Sequence, residues 1–290
     1  MISRPHSAGA RTQKIDEQRV SMDNSRMRYL RTGSGPALLL VHGLLGYSFS
    51  WRFTMPGIKE RTIYAVDMLG TGYSDRPPKL DCSLRASAER LLRFLDAVGM
   101  SSCDLLGTSH GGAVAMMAAA LGTERFKRLI LVAPANPWSV YGKGLARLLT
   151  SPLVKPWFFR LAPHLEPVHG LLLRRMYGDP RRIRPGTLEG YSAPFRIPGS
   201  LRYGLSVLHS WNTDLKELEK ALPRIFHLPT LLIWGSRDTA VSLASADRLR
   251  EQFRHCELMV FDGVGHLPYE EVPEQFNQAV VQFLSAPGNS

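Results

Sequence analysis

Short apolar runs recur along the chain, and several of them alternate with segments of helical periodicity. A continuous run of this kind is typical of a strand that is covered on both faces. Residues 84–98 repeat apolar residues at a spacing near 3.6, and residues 113–121 are almost wholly small or apolar, as in a buried helix. Strands that alternate with helices predict an α/β protein with a doubly wound, mostly parallel sheet. The predicted strands are Met27–Arg31, Ala37–Val41, Thr62–Val66, Cys103–Leu106, Leu129–Val132, Thr230–Trp234 and Leu258–Phe261.

The alternation stops near Pro134. From residue 135 to about 221 the chain is rich in proline, arginine and aromatic residues, and prolines interrupt its amphipathic pieces. Strand-like runs resume near Leu228. The sequence therefore predicts one α/β core, formed by residues 18–134 and 222–290, with a helical insertion, the predicted cap, at residues 135–221. The predicted cap helices are Val140–Leu149, Leu165–Tyr177 and Tyr203–Trp211.

Length and composition are those of an ordinary folded domain. With 290 residues, 44% hydrophobic and 21% charged, the chain can bury a large core and is not of a disordered or fibrous type. The three cysteines lack the spacing of a zinc site or a disulfide framework, so we expect a reducing, cytoplasmic compartment. Residues 1–17 are polar and basic without periodicity and are predicted to form a flexible leader. We expect neither a signal peptide nor a membrane-spanning segment.

Much of the positive charge lies in the predicted cap. The 36 Lys and Arg against 25 Asp and Glu give a net charge of +11, which favours anionic partners but does not indicate nucleic acid, and no nucleic-acid partner is expected. Residues 135–221 alone carry a net +7, interleaved with Trp138, Trp157 and Trp211. This combination suits apolar acyl or aromatic substrates, anionic ones, or weak contact with an anionic membrane surface. A solvated helical surface is the alternative interpretation, and the sequence leaves both open.

A candidate nucleophile follows the predicted strand at residues 103–106. Residues 107–111 read Gly-Thr-Ser-His-Gly, the pattern G-x-S-x-G, and join that strand to a predicted helix. In this context the glycines allow a sharp turn that exposes the serine hydroxyl at the end of the sheet. The helix N-terminus also favours a developing oxyanion. We therefore predict Ser109 to be a catalytic nucleophile rather than an ordinary turn serine.

A serine nucleophile needs a base and an acid that orients the base. Two later loops supply candidates, because Asp238 lies just past the predicted strand Thr230–Trp234 and His266 just past Leu258–Phe261. The carboxyl ends of parallel strands share one edge of the sheet, so these residues can converge with Ser109. The chain order Ser, Asp, His also occurs in known triads.

Two residues compete with Asp238 for the role of the acid. Asp262 lies four residues before His266 in the same loop, where capping or turning of the backbone is the better interpretation. Asn136 follows another predicted strand, but its amide cannot stabilise an imidazolium by charge. The predicted catalytic triad is therefore Ser109, Asp238 and His266.

The loop at residues 42–46, His-Gly-Leu-Leu-Gly, follows another predicted strand. Amides from such a loop and from the residue after the nucleophile can form an oxyanion hole. The predicted donors are the backbone N–H groups of Leu44 and His110. His42 and Gly43 are predicted to order the loop, without a proton-transfer role for the imidazole.

A glycine-rich segment at residues 67–75 follows a further predicted strand. It lacks the phosphate-loop pattern G-x-x-x-x-G-K-[ST], and no helical pattern begins until about Ser83. A tight structural turn is therefore predicted there.

Together these motifs resemble those of capped α/β-hydrolase-fold enzymes, a superfamily of esterases, lipases, meta-cleavage-product C–C hydrolases, haloalkane dehalogenases and epoxide hydrolases. The resemblance covers residues 27–284 and implies this fold with a helical cap and a triad that needs no metal or organic cofactor. Dehalogenases and epoxide hydrolases of the superfamily carry Asp as nucleophile, so Ser109 excludes their chemistry. The motifs are His42-Gly43 with Gly46, residues 67–74, residues 107–112, residues 234–238 and Gly265-His266-Leu267-Pro268.

Three departures separate the chain from the C–C hydrolases of that superfamily. Those enzymes usually show Gly-Pro-Gly after the His-Gly, Asn before the nucleophile and Trp after the catalytic histidine. This chain has Leu-Leu-Gly at residues 44–46, Thr108 and Leu267. The departures favour cleavage of small-molecule carboxylic esters through an acyl-enzyme. C–C hydrolysis is the first alternative and a non-catalytic receptor or scaffold of the same fold is the second; the chain length of the substrate and the oligomeric state stay open.

Overall fold

The computed structural model describes residues 14–22, 24–139 and 166–286. In these ranges eight strands form one sheet in the order β1-β2-β4-β3-β5-β6-β7-β8. The β1–β2 and β2–β4 pairs are antiparallel, and the five other pairs are parallel. The predicted α/β class with a mostly parallel sheet is confirmed. The strands are β1 (Asp16–Met22), β2 (Ser25–Thr32), β3 (Ala37–Val41), β4 (Thr62–Val66), β5 (Cys103–Thr108), β6 (Phe126–Val132), β7 (Thr230–Gly235) and β8 (Cys256–Phe261).

Helices cover both faces of this sheet. No helix in the described ranges combines the length and the hydropathy that crossing a membrane requires. Helix α2 is buried from its first residue to its eleventh, as the run of small apolar residues predicts. The helices are α1 (Leu84–Ala97), α2 (His110–Leu121), α3 (Glu166–Met176), α4 (Thr187–Ser192), α5 (Ser200–Ala221), α6 (Ala246–Arg250), α7 (Pro268–Glu271) and α8 (Pro273–Ser285).

The continuous apolar strands are explained by two hydrophobic cores, one on each face of the sheet. In β3, Leu39 and Val41 belong to the core on the α1 and α2 side. Leu38 and Leu40 belong to the opposite core, together with Trp51. All five side chains are completely buried. Alternation of side chains across the sheet therefore requires apolar residues at every position of this strand.

Strand β1 was not predicted from the sequence. Its residues Asp16–Met22 alternate between half-buried and exposed up to Met22, as expected for the edge of a sheet. Charged and polar residues occupy most of its positions, so no apolar run marks it, and Val20 alone in its middle packs on the core. The predicted end of the leader, at residue 17, is wrong, because Asp16 and Glu17 already belong to this strand.

The described part of the insertion contains α3, α4 and α5. The predicted helix at residues 140–149 lies outside the described residues, whereas the one at 165–177 corresponds to α3. The predicted helix at 203–211 is part of α5, which is 22 residues long. Helix α5 continues because Leu215 and Leu218 pack into the core on the α1 and α2 side.

Candidate active site

Ser109 occupies a strained turn between β5 and α2. Its backbone angles are φ 53° and ψ −124°, a region that costs a non-glycine residue about 1–3 kcal/mol. The surrounding glycines make the turn possible. A Cβ added to Gly107 would lie 2.4 Å from the Gly111 carbonyl oxygen, and one on Gly111 would lie 2.2 Å from the His42 carbonyl oxygen. The half-buried Ser109 is thus held at the end of the sheet by backbone packing that side chains would prevent.

His266 and Asp238 meet at the same edge of the sheet. The His266 Nδ1 lies 2.8 Å from Asp238 Oδ2, and the Asp238 side chain is fully buried. The other carboxylate oxygen accepts hydrogen bonds from the backbone N–H groups of Ala240 at 2.7 Å and Val241 at 2.9 Å. These bonds fix the carboxylate. With Asp238 accepting at Nδ1, the neutral imidazole carries its proton there and leaves Nε2 as an acceptor.

The two competing residues are engaged elsewhere. Asp262 is exposed and accepts a hydrogen bond from the Ser236 hydroxyl at 3.0 Å. Asn136 is completely buried, and its Nδ2 donates to the Pro134 carbonyl and the Ser245 hydroxyl, both at 3.0 Å. Of these three side chains, the structure brings only Asp238 to the imidazole.

The predicted oxyanion loop passes beside the nucleophile. A Cβ added to Gly43 would lie 3.1 Å from the Ser109 Cβ and 3.8 Å from its Oγ. The loop is closed by a hydrogen bond from the Gly46 N–H to the Gly43 carbonyl at 3.0 Å. On the other side of Ser109, His110 is the first residue of α2, where backbone N–H groups have no partner within the helix. Leu44 and His110 therefore belong to segments that flank the Ser109 side chain.

His42 is a buried link between this loop and the turn at residues 67–75. Its Nδ1 lies 2.8 Å from the Gly43 carbonyl oxygen, and its Nε2 accepts from the Met68 N–H at 3.1 Å. The Thr71 hydroxyl lies 3.0 Å from the same nitrogen. Burial lowers the pKa of His42, which keeps the imidazole neutral. These contacts are those expected of a residue that orders the loop.

The glycine-rich segment at residues 67–75 is a tight turn around a buried carboxylate. Asp67 accepts from the backbone N–H groups of Ser48 at 2.8 Å and Tyr73 at 2.9 Å, and from the Arg28 guanidinium at 3.0 Å. Gly72 has φ +50°, and a Cβ there would lie 2.3 Å from Asp67 Oδ2. The segment forms the tight turn that the sequence predicts.

The His110 imidazole packs under the insertion. Its ring stacks on Trp211 of α5 with a centroid separation of 6.0 Å, and Tyr203 contacts its edge. Burial and the neighbouring His42 lower the pKa of His110 to about 3. Also in α5, a Cβ added to Gly204 would lie 2.7 Å from the Leu45 side chain. Helix α5 therefore lies against both segments that flank the nucleophile.

Sequence reasoning missed two buried carboxylates that follow the His266 loop. Glu270 bonds to the Arg52 guanidinium and accepts from the Tyr191 hydroxyl at 2.7 Å. Arg52 also donates to the Thr187 hydroxyl at 3.0 Å, which joins the core to α4. Glu271 accepts hydrogen bonds from the backbone N–H groups of Gly178, Asp179 and Gly265. Adjacent acids at the start of a helix are typical of a solvated first turn, so no local pattern marks their burial.

Within the described ranges, no three His, Cys, Asp or Glu side chains lie together as a metal ion would require.

A family model described as alpha/beta hydrolase fold matches residues 36–273, more than half of the chain. The chain belongs to the alpha/beta hydrolase fold family. The resemblance of its motifs to this family is thus confirmed, and the chain is an alpha/beta hydrolase by class.

Two relatives of this alpha/beta hydrolase are 2-hydroxymuconate semialdehyde hydrolases. The protein from Pseudomonas sp. strain CF600 is 28% identical over 271 residues, 88% of either chain. The one from Pseudomonas putida is 30% identical over 274 residues, 87% of this chain and 88% of the relative. The solved 2-hydroxy-6-oxo-6-phenylhexa-2,4-dienoate hydrolase from Rhodococcus sp. strain RHA1 has a TM-score of 0.81 at 23% identity, covering 95% of this chain and 100% of that one. This structural similarity shows the fold.

Proposed function

We propose that this alpha/beta hydrolase is a serine enzyme that cleaves small-molecule carboxylic esters through an acyl-enzyme intermediate. The observation that carries the proposal is the 2.8 Å bond between His266 Nδ1 and the buried Asp238 carboxylate. It lies at the sheet edge from which the strained Ser109 turn projects. A nucleophile, a base and an orienting acid on one edge are the parts that acyl transfer requires.

In the proposed reaction, the Ser109 hydroxyl oxygen attacks the ester carbonyl carbon while His266 Nε2 takes its proton. The carbonyl oxygen becomes an oxyanion, which the N–H groups of Leu44 and His110 stabilise. A single donor of this kind lowers the activation barrier by about 2.7–4 kcal/mol. The carbon–oxygen bond to the alcohol then breaks, and His266 returns the proton to the leaving alkoxide. Water repeats the sequence on the acyl-enzyme and releases the acid.

Hydrolysis of a carbon–carbon bond is the second candidate, because two relatives that match over most of the chain are 2-hydroxymuconate semialdehyde hydrolases and the motifs resemble those of a superfamily that includes C–C hydrolases. A dienoate substrate has a carboxylate that a cation would recognise. Among the described residues, three arginines of the core are already bonded: Arg28 to Asp67, Arg52 to Glu270, and Arg76 to the Ser74 carbonyl. The motif departures favour a neutral ester.

The test is a panel of p-nitrophenyl esters of increasing acyl length, assayed beside a 2-hydroxy-6-oxo-dienoate, with Ser109→Ala as the matched inactive variant. We expect ester turnover that depends on Ser109 and kcat/KM values at least about 10-fold above that for the dienoate, a difference of about 1.4 kcal/mol in barrier. Preferred turnover of the dienoate would select the second candidate. No turnover of either substrate class would favour a non-catalytic member of the fold.

A further inference from the structure

The insertion and a buried carboxylate hold His266 by its backbone. The His266 N–H donates to the Met176 carbonyl, at the C-terminus of α3, over 2.7 Å. The preceding N–H, that of Gly265, donates to Glu271 Oε1 over 2.6 Å. The backbone N–H groups of Gly265 and His266, which set the position of the imidazole, are thus both hydrogen-bonded.

The same carboxylate also fastens the insertion. Glu271 Oε1 accepts from the Gly178 N–H at 3.0 Å, and its Oε2 accepts from the Asp179 N–H at 3.3 Å. The Arg182 guanidinium lies 3.4 Å from Oε2, and the Glu271 side chain is 0% exposed. Removing a carboxylate from water is unfavourable unless hydrogen-bond donors of the protein replace the lost water molecules. Here every one of those donors belongs to the insertion or to the His266 loop.

Close backbone packing leaves this junction little freedom. A Cβ added to Gly265 would lie 2.4 Å from the Met176 carbonyl oxygen, and one on Gly178 would lie 2.5 Å from the Gly263 carbonyl oxygen. Beside it, the Thr239 hydroxyl donates to the Arg175 carbonyl at 2.8 Å. The end of α3 therefore contacts both the loop of the acid and the loop of the base.

From this geometry we infer that Glu271 is a positioning residue for His266, which it holds in register with Ser109 by binding the Gly265 and Gly178 amides at once. The inference rests on the proposed function of Ser109 and His266. Glu271 acts through the backbone and does not contact the reacting atoms. One consequence is that residues 176–179 and the general base move as one unit, so a shift of the insertion would displace the imidazole.

Glu271→Gln and Glu271→Ala test the inference, with Glu274→Ala as the matched control. Glu274 is on the next helix, its side chain is 82% exposed, and it also pairs with an arginine of the insertion, Arg184, at 3.6 Å. Glu271→Gln keeps the size and one acceptor oxygen, so it preserves the fold if the alanine variant does not. All proteins are assayed for kcat and KM well below their melting temperatures. The low-field proton resonance of His266 Nδ1–H is recorded by NMR.

A displaced base lowers kcat and leaves KM nearly unchanged. We expect a loss of about 100-fold in kcat for the alanine variant, the size of effect that a 1 Å misplacement produces, a smaller loss for glutamine, and none for Glu274→Ala. The Nδ1–H resonance should broaden or shift in the Glu271 variants alone. Unchanged kcat and resonance, or a rise in KM without a loss of kcat, would overturn the inference. If the wild type hydrolyses no ester, the proposed function fails, while the resonance still tests the role of Glu271.

Discussion

His266 and Asp238 are separated by 28 residues of sequence, yet a 2.8 Å bond joins their side chains. The cause is the parallel pairing of β7 with β8, in which Gly235 lies opposite Phe261. Both strands end at that level, and the loops that follow carry the acid and the base side by side. The register of the two strands therefore places Asp238 beside His266. The backbone N–H groups of Ala240 and Val241 then fix the orientation of the Asp238 carboxylate.

Asp238→Asn should remove most of the activity and leave the fold intact. The amide cannot stabilise the imidazolium by charge, and its N–H₂ favours the wrong histidine tautomer; in a comparable triad this change lowers kcat about 10⁴-fold. Asp262→Asn is the control, because Asp262 is exposed and bonded to Ser236. Steady-state kinetics of the two variants decide the question. Equal losses would show that Asp238 does not act as the acid.

Gly111→Ala should damage the site through the backbone. The added Cβ would lie 2.2 Å from the His42 carbonyl oxygen and 2.5 Å from that of Val41, so α2 or the oxyanion loop must move. We expect a loss of about 1–3 kcal/mol in the free energy of unfolding, together with a fall in kcat. Gly170→Ala is the control, since its Cβ would meet only Leu188, at 3.4 Å. Denaturant unfolding and kinetics measure both; a neutral Gly111→Ala would contradict the packing argument.

His110→Phe should reduce the acid sensitivity of the fold. Burial and the neighbouring His42 lower the pKa of His110 to about 3 from an ordinary value of 6.5. Between those values the unfolded chain binds a proton that the folded protein does not, so stability is full above pH 6.5 and falls as the pH is lowered. The contribution is about 1.4 kcal/mol per pH unit well below pH 6.5.

The measurement for His110→Phe is the free energy of unfolding as a function of pH between 6.5 and 4. The variant should show a shallower slope than the wild type, whereas the exposed His227→Phe should not differ from it. A slope unchanged by His110→Phe would mean that folding does not lower the pKa of this imidazole.

Much of the sheet could be predicted because burial on both faces leaves a continuous apolar run. Each of the seven predicted strands overlaps an observed one, and Ala37–Val41 and Thr62–Val66 match their bounds. β1 could not be found this way, since an edge strand with a solvated face can be largely charged. The length of α5 was also missed, because its second half is stabilised by packing on α1 and α2 and not by a local pattern.

At the site, the residues that begin loops after strands were predictable from topology, since parallel strands end at one edge. The network behind them was not. Arg52 and Glu270 are 218 residues apart, and Glu271 receives amides from residues 178 and 265. Such contacts depend on how the insertion packs against the core, which no local pattern shows. The sequence around Glu270 and Glu271 resembles an ordinary acidic first turn of a helix.

Covalent labelling shows whether Ser109 is the nucleophile without the need for a known substrate. A fluorophosphonate probe reacts with a serine that a neighbouring base activates. Intact-mass analysis should show one adduct on the wild type and on Ser236→Ala, an exposed serine in the Asp238 loop, and none on Ser109→Ala. An adduct that persists on Ser109→Ala, or an unlabelled wild-type protein, would show that Ser109 is not the activated nucleophile.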